Sequence, residues 1–209
     1  MRGGRAGSSL LSRGRRVKPM LLFLLACLGV PPPQANSVAD ALSLARTRDR
    51  ALYEAFNAGY RLAASGDVES VELITEFRRA VLLARAHTDR GDFSFTAQNL
   101  ATELTPFQGT ISVIATIRLN PLNTYIQPPS YELYIRTGPS TSPLGPRDFK
   151  RDPVNPPGFS GPGTTMVGVR LEGTFSTADV ASARDPYVTL TNDHGTVIWQ
   201  GRLDLSRYR

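Results

Sequence analysis

"TISVIATIRL" occupies residues 110–119, and its reading decides the fold. Ile111, Val113, Ala115, Ile117 and Leu119 fall on every second position. An extended chain points successive side chains to opposite faces, so this period gathers its apolar groups on one side. The stretch predicts a half-buried strand, which Pro121 ends.

The same period returns toward the C-terminus. Tyr131, Leu133 and Ile135 alternate with Glu132, Tyr134 and Arg136. "TMVGVRLEGTF" at 165–175 places Val167, Val169 and Leu171 inward, and "YVTLT" follows at 187–191. "TVIWQGRLDL" at 196–205 sets Val197, Trp199 and Leu203 on one side, which reads Trp199 as core. Asn192-Asp193-His194-Gly195 joins the last pair through residues that tolerate positive φ, a strong hairpin signal. About five antiparallel strands with Pro- and Gly-rich turns predict a sandwich-like domain, or a small open barrel, over 106–209.

Within that domain, residues 138–163 form a stretch of 26 residues with seven prolines and five glycines. So little apolar content gives few contacts to offset the ordering entropy, and the stretch reads as a long loop. The stretch reads first as a solvated crossover between sheets; its centre, "RDFKRD", sets Phe149 among Lys150, Arg151 and other charges, which gives a recognition loop as the alternative. Tyr134 lies out of phase with its strand's apolar face and is the exposed aromatic candidate. Tyr134, Phe149, Lys150 and Arg151 are therefore the candidate ligand- or partner-binding residues.

Upstream, the period changes. From 39 to 64, Leu42, Ala45, Leu52, Phe56, Tyr60 and Ala63 recur at helical spacings, and Ser65-Gly66-Asp67 reads as a stop. Val71, Ile74, Phe77, Val81, Leu82 and Arg85 continue the pattern as far as Arg90-Gly91-Asp92. The two stretches predict a helical hairpin. "VELIT" at 71–75 also alternates and has a strand as its rival reading; helix is preferred. Ser94 or Thr96 caps a short third helix through Leu104. The expected plan is α+β: a helical region over 38–105 beside the β-rich domain.

The first 37 residues read as an address. Arg2, Arg5, Arg13, Arg15, Arg16 and Lys18 precede an apolar run from Met20 to Val30, and no acid is present. Eleven apolar residues are too few to span a bilayer but fit the core of a secretory signal peptide. Ala35-Asn36-Ser37 offers a cleavage site that would start the mature chain at Val38. Leu24-Leu25-Ala26-Cys27 resembles the lipobox of bacterial lipoproteins. That resemblance implies lipidation of Cys27, a mature start there and a Pro-rich tether behind it. Both starts remain open, and either places the protein outside the cytoplasm, as a periplasmic or membrane-anchored lipoprotein or as a soluble secreted form.

The address also accounts for the charge. The chain has 24 basic and 18 acidic residues, and the first 37 hold six of the basic ones, so the remainder keeps 18 of each. No electrostatic footprint for nucleic acid survives. Cys27 is the only cysteine and there are two histidines, which argues against disulfides, a cysteine nucleophile or a zinc site. No cofactor is expected.

Catalytic patterns are weak throughout. Ser160 in "GFSGPG" lacks the second glycine of a nucleophile elbow, since Pro162 stands there. His194 and Asp193 sit in a turn chosen for its backbone, and His87 near a helix end reads as a surface residue. Glu69, Glu72 and Glu76 read as a solvated helical face. The sequence points first to a non-catalytic exported cell-envelope protein whose partner is an envelope protein or a glycan. Its alternatives are a carbohydrate- or ligand-binding module, and a glycan hydrolase using carboxylates such as Glu72 and Glu132.

Overall fold

The computed structural model describes residues 37–208 apart from 126, 137, 139–141, 159–164 and 184. Cys27, the leader and Ser160 lie outside the described residues. In chain order the elements are α1 (Val38–Ala45), α2 (Arg50–Ala58), β1 (Arg61–Leu62), β2 (Val68–Ile74), α3 (Glu76–Asp89), α4 (Ala97–Leu104), β3 (Thr110–Arg118), β4 (Glu132–Arg136), β5 (Asp148–Val154), β6 (Gly168–Ser176), α5 (Thr177–Ser182), β7 (Tyr187–Thr191) and β8 (Val197–Arg202). The protein is α+β, with one five-stranded sheet ordered β1-β2-β3-β6-β5 and one three-stranded sheet ordered β4-β7-β8. Neighbouring strands in both sheets are antiparallel.

The alternating stretch at 110–119 is β3, central in the larger sheet and paired along its length with β6 (Ile111↔Phe175, Ala115↔Leu171, Ile117↔Val169). Ile111, Val113, Ala115 and Ile117 are buried, and one apolar cluster joins them to Leu133 and Ile135 of β4, Val188 and Leu190 of β7, and Trp199 of β8. Burying two or three methylene-rich side chains per strand, at about 1.5–3 kcal/mol each, holds both sheets to this common centre. Val167, expected inward, is 44% exposed; Gly168 begins the strand instead, and Val169 and Leu171 are buried. Val197 is likewise exposed, while Trp199 and Leu203 are buried.

The Asn192–Gly195 turn joins β7 to β8 as the sequence predicts. Asn192 Oδ1 accepts from the backbone N–H groups of His194 (3.1 Å) and Thr196 (2.9 Å), and Gly195 takes φ 72°. A side chain closes this turn, with glycine supplying the left-handed residue.

Four sequence expectations change. The helical pattern over 39–64 breaks into α1 and α2, because Asp49 turns its carboxylate back to accept from Leu52 N (3.0 Å) and so opens a new helix. Gly66 is a left-handed turn residue between β1 and β2 rather than a helix terminator. "VELIT" is strand: Val71 and Leu73 pair with Ala115 and Val113 of β3 and are fully buried, and Thr75 caps the helix that begins only at Glu76. A two-strand ribbon therefore separates the helices expected to form a simple hairpin. Lastly, the Pro/Gly-rich stretch contains β5, paired with β6 from Asp148↔Thr174 to Val154↔Gly168.

The helices keep a second apolar cluster. Ala41, Leu42 and Ala45 of α1 meet Ala80, Val81 and Ala84 of α3, with Phe95 and Leu100 beside them. The third helix forms where expected, with Thr96 and Asn99 bonding reciprocally in a capping box.

Candidate functional site

The candidate residues separate by strand geometry. In β5, Phe149 and Arg151 pair with Gly173 and Leu171, whereas Lys150 pairs with Glu172. Side chains alternate across a sheet, so Phe149 and Arg151 share the face carrying buried Leu171 and Lys150 points the other way. There Lys150 Nζ lies 3.8 Å from Asp148 Oδ2, in solvent. Lys150 is thus not brought to the site.

Phe149, Arg151 and Tyr134 border the same space between β4 and β5. Together with Glu132, Pro143 and Pro146 they line a groove of about 520 Å³. This is within the size range of small-molecule sites, roughly 300–1,000 Å³. Its shape follows from a missing side chain. A Cβ at Gly173 would stand 2.3 Å from Leu133 Cδ2 and 3.3 Å from Pro146 Cβ, so the glycine lets both groove-lining residues settle on β6.

The walls are aromatic and charged. The Arg151 guanidinium lies 4.8 Å from the centroid of the Phe149 ring, and its Nε–H donates to Tyr131 O at 2.9 Å. Arg136 sits over Tyr134 at 5.7 Å. These contacts fix the rings' orientation at about 0.5–1 kcal/mol apiece. Burial pushes the neighbouring Tyr131 phenol up, keeping it neutral. Thr191, paired with Glu132 in the ladder, also lines the groove; it is 2% exposed and its Oγ1 has no hydrogen-bond partner.

The two carboxylates weighed for hydrolysis are not brought together. Glu132 is in the three-stranded sheet and lines the groove; Glu72 is on β2, does not line it, and is ion-paired with buried Arg78 and, at 3.6 Å, with Arg61. Glu69, Glu72 and Glu76 share no helical face, since two stand on β2 and one opens α3. His194 and Asp193 lie 3.6 Å apart with both side chains mostly in solvent.

His87 is not the surface residue expected. It is 18% exposed, stacks on Phe95 at 3.7 Å, and places Nδ1 2.8 Å from Asp92 and Nε2 3.3 Å from Glu103. The carboxylates sit at opposite ends of one ring and so face no common point. Among the described residues, no group of three or more His, Cys, Asp or Glu is arranged to hold a metal ion.

Sequence reasoning missed Thr191 as a groove residue and named Glu132 only as a carboxylate for hydrolysis. Reading "DFKRDPV" as an edge strand would have paired Phe149 with Arg151 and set Lys150 aside. No family model matches the chain, and neither a curated protein nor a solved structure is similar to it.

Proposed function

We propose that this chain is a non-catalytic exported binding module of the cell envelope, and that the β4–β5 groove holds a glycan. The observation carrying this reading is that Tyr134, Phe149 and Arg151 line one groove with Glu132. Ring faces suit the apolar C–H faces of a sugar, while a guanidinium and a carboxylate answer its hydroxyls. Glycoside hydrolysis needs two carboxyl groups about 5–10 Å apart, and Glu132 is the one acid among the described residues lining the groove. The basic, acid-free leader followed by a short apolar run supports export. In this reading the two sheets are layers of a sandwich whose open side is the groove.

Binding of soluble envelope oligosaccharides, followed by calorimetry, tests it. Tyr134→Ala and Phe149→Ala each weaken binding at least tenfold, and Lys150→Ala leaves it unchanged. Equal binding by all three variants refutes the groove, and release of new reducing ends by the wild type refutes the non-catalytic assignment. The intact mass of the protein from its native host decides between a diacylglyceryl group on Cys27 and a start at Val38.

A further inference from the structure

Residues directly opposite in an antiparallel ladder point to the same side of the sheet. Leu133, Leu190 and Trp199 are one such row, buried in the core. The other face of the three-stranded sheet therefore carries Tyr134, Thr189 and Gln200 in one row, and Arg136, Tyr187 and Arg202 in the next. This face is open: Arg136, Gln200 and Arg202 are exposed and both tyrosines half-buried. Tyr187 is the diagonal neighbour of Tyr134, about 7–8 Å from it. Tyr134 also lines the β4–β5 groove, so the groove and this face meet at one ring.

The charges along that path are of two kinds. Arg202 is held by Asp185 at 2.6 Å, and the same carboxylate accepts from Tyr187 Oη at 3.2 Å. Arg136 and Arg151 are placed but not neutralised. Arg151 is fixed by its Nε–H on Tyr131 O and by the Phe149 ring, and Arg136 lies against the ring and hydroxyl of Tyr134. Among the described residues neither forms an ion pair, and both side chains reach solvent. Glu132 is the one acid among the described residues lining the groove, so two open guanidinium groups stand against one carboxylate.

A guanidinium presents a planar fork of N–H donors that matches a carboxylate in two parallel bonds, a match no neutral hydroxyl supplies. Arg151 bonds beside the start of β4 and Arg136 ends it. From Glu132 to Arg136 the strand rises about 13 Å, so a ligand touching both ends is an oligomer.

We infer that the glycan is acidic: it leaves the groove along β4, lays a ring over Tyr134 and Tyr187, and sets uronate carboxylates on Arg151 and Arg136. This rests on the groove reading above, to which it adds the sugar class and a second stretch of surface.

The test titrates the full chain by calorimetry with tetragalacturonate, its fully methyl-esterified form and poly-L-glutamate. The ester keeps the sugar without its charge, and the polypeptide keeps the charge without the sugar. The acid is expected to bind at least tenfold tighter than either. Arg136→Gln should bring the acid within about threefold of the ester, and Tyr187→Ala should weaken acid and ester alike, about fivefold. Equal binding of acid and ester overturns the inference and leaves the groove reading standing; binding of neither overturns both. Poly-L-glutamate binding as tightly as the acid overturns it as well. A full preference for the acid in Arg136→Gln removes the path over the sheet face. The wild-type ratio of acid to ester decides the matter if a variant fails to fold.

Discussion

Thr191 holds a hydroxyl in the interior with nothing to bond, and Val188 and Leu190 beside it on β7 are fully buried. Desolvating an unpaired polar group costs about 1–3 kcal/mol, and valine has nearly the same shape. Thr191→Val should therefore raise unfolding stability by about 1 kcal/mol, read as a higher urea midpoint with an unchanged slope. Asp92 gives a pH prediction. The Ser94 hydroxyl, donating at 2.7 Å, and then His87 at 2.8 Å hold its carboxyl below the ordinary aspartate range. A value depressed on folding means the unfolded chain binds more protons, so stability rises with pH across that range. The contribution is complete above the ordinary aspartate range and disappears as pH falls through the lowered value. Asp92→Asn should flatten the acid limb of a stability-against-pH curve there.

Among the elements, β6 is sensitive to substitution because it is paired on both sides and packs Gly173 under Leu133. Gly173→Ala would drive a methyl into Leu133 and Pro146. Overpacking of this kind costs about 1–3 kcal/mol. Denaturant unfolding should show that loss, and glycan affinity should fall with it because the same two residues line the groove. Elements whose period matched their surroundings were legible: β3, β4, β7, the β7–β8 turn and the capped α4 all stand where alternation or capping chemistry puts them. The front of the chain misled for a physical reason. Val71 and Ile74 lie on β2 and Phe77 and Val81 on α3, but their spacing runs unbroken across Thr75, so a strand followed by a helix imitates one helix. β5 was hidden because an edge strand needs little apolar content, and Phe149 is its only large apolar residue besides Val154. Tyr134, Phe149 and Arg151 could be nominated from sequence, but setting Lys150 aside required recognising "DFKRDPV" as a strand, which its charges and Pro153 conceal. The unpaired hydroxyl of Thr191 is a tertiary fact with no local signature.

At the scale of the molecule, the larger sheet ends in two edges. β1 is two residues long, and β5 carries Lys150, Asp152 and Pro153, charges and a missing N–H that discourage another chain from pairing. Replacing Lys150 and Asp152 together with valine should produce concentration-dependent self-association beyond that of the wild type in sedimentation velocity. The last strand has a different bearing. Trp199 Nε1–H donates to Ala63 O at 3.1 Å, and Tyr208 stacks on Tyr60 at 5.2 Å. These are clasps between parts of the polypeptide synthesised far apart in time. Loops this long close slowly. A nascent chain thus stays unlatched until its final segments leave the ribosome, an order of events that accords with the export proposed above.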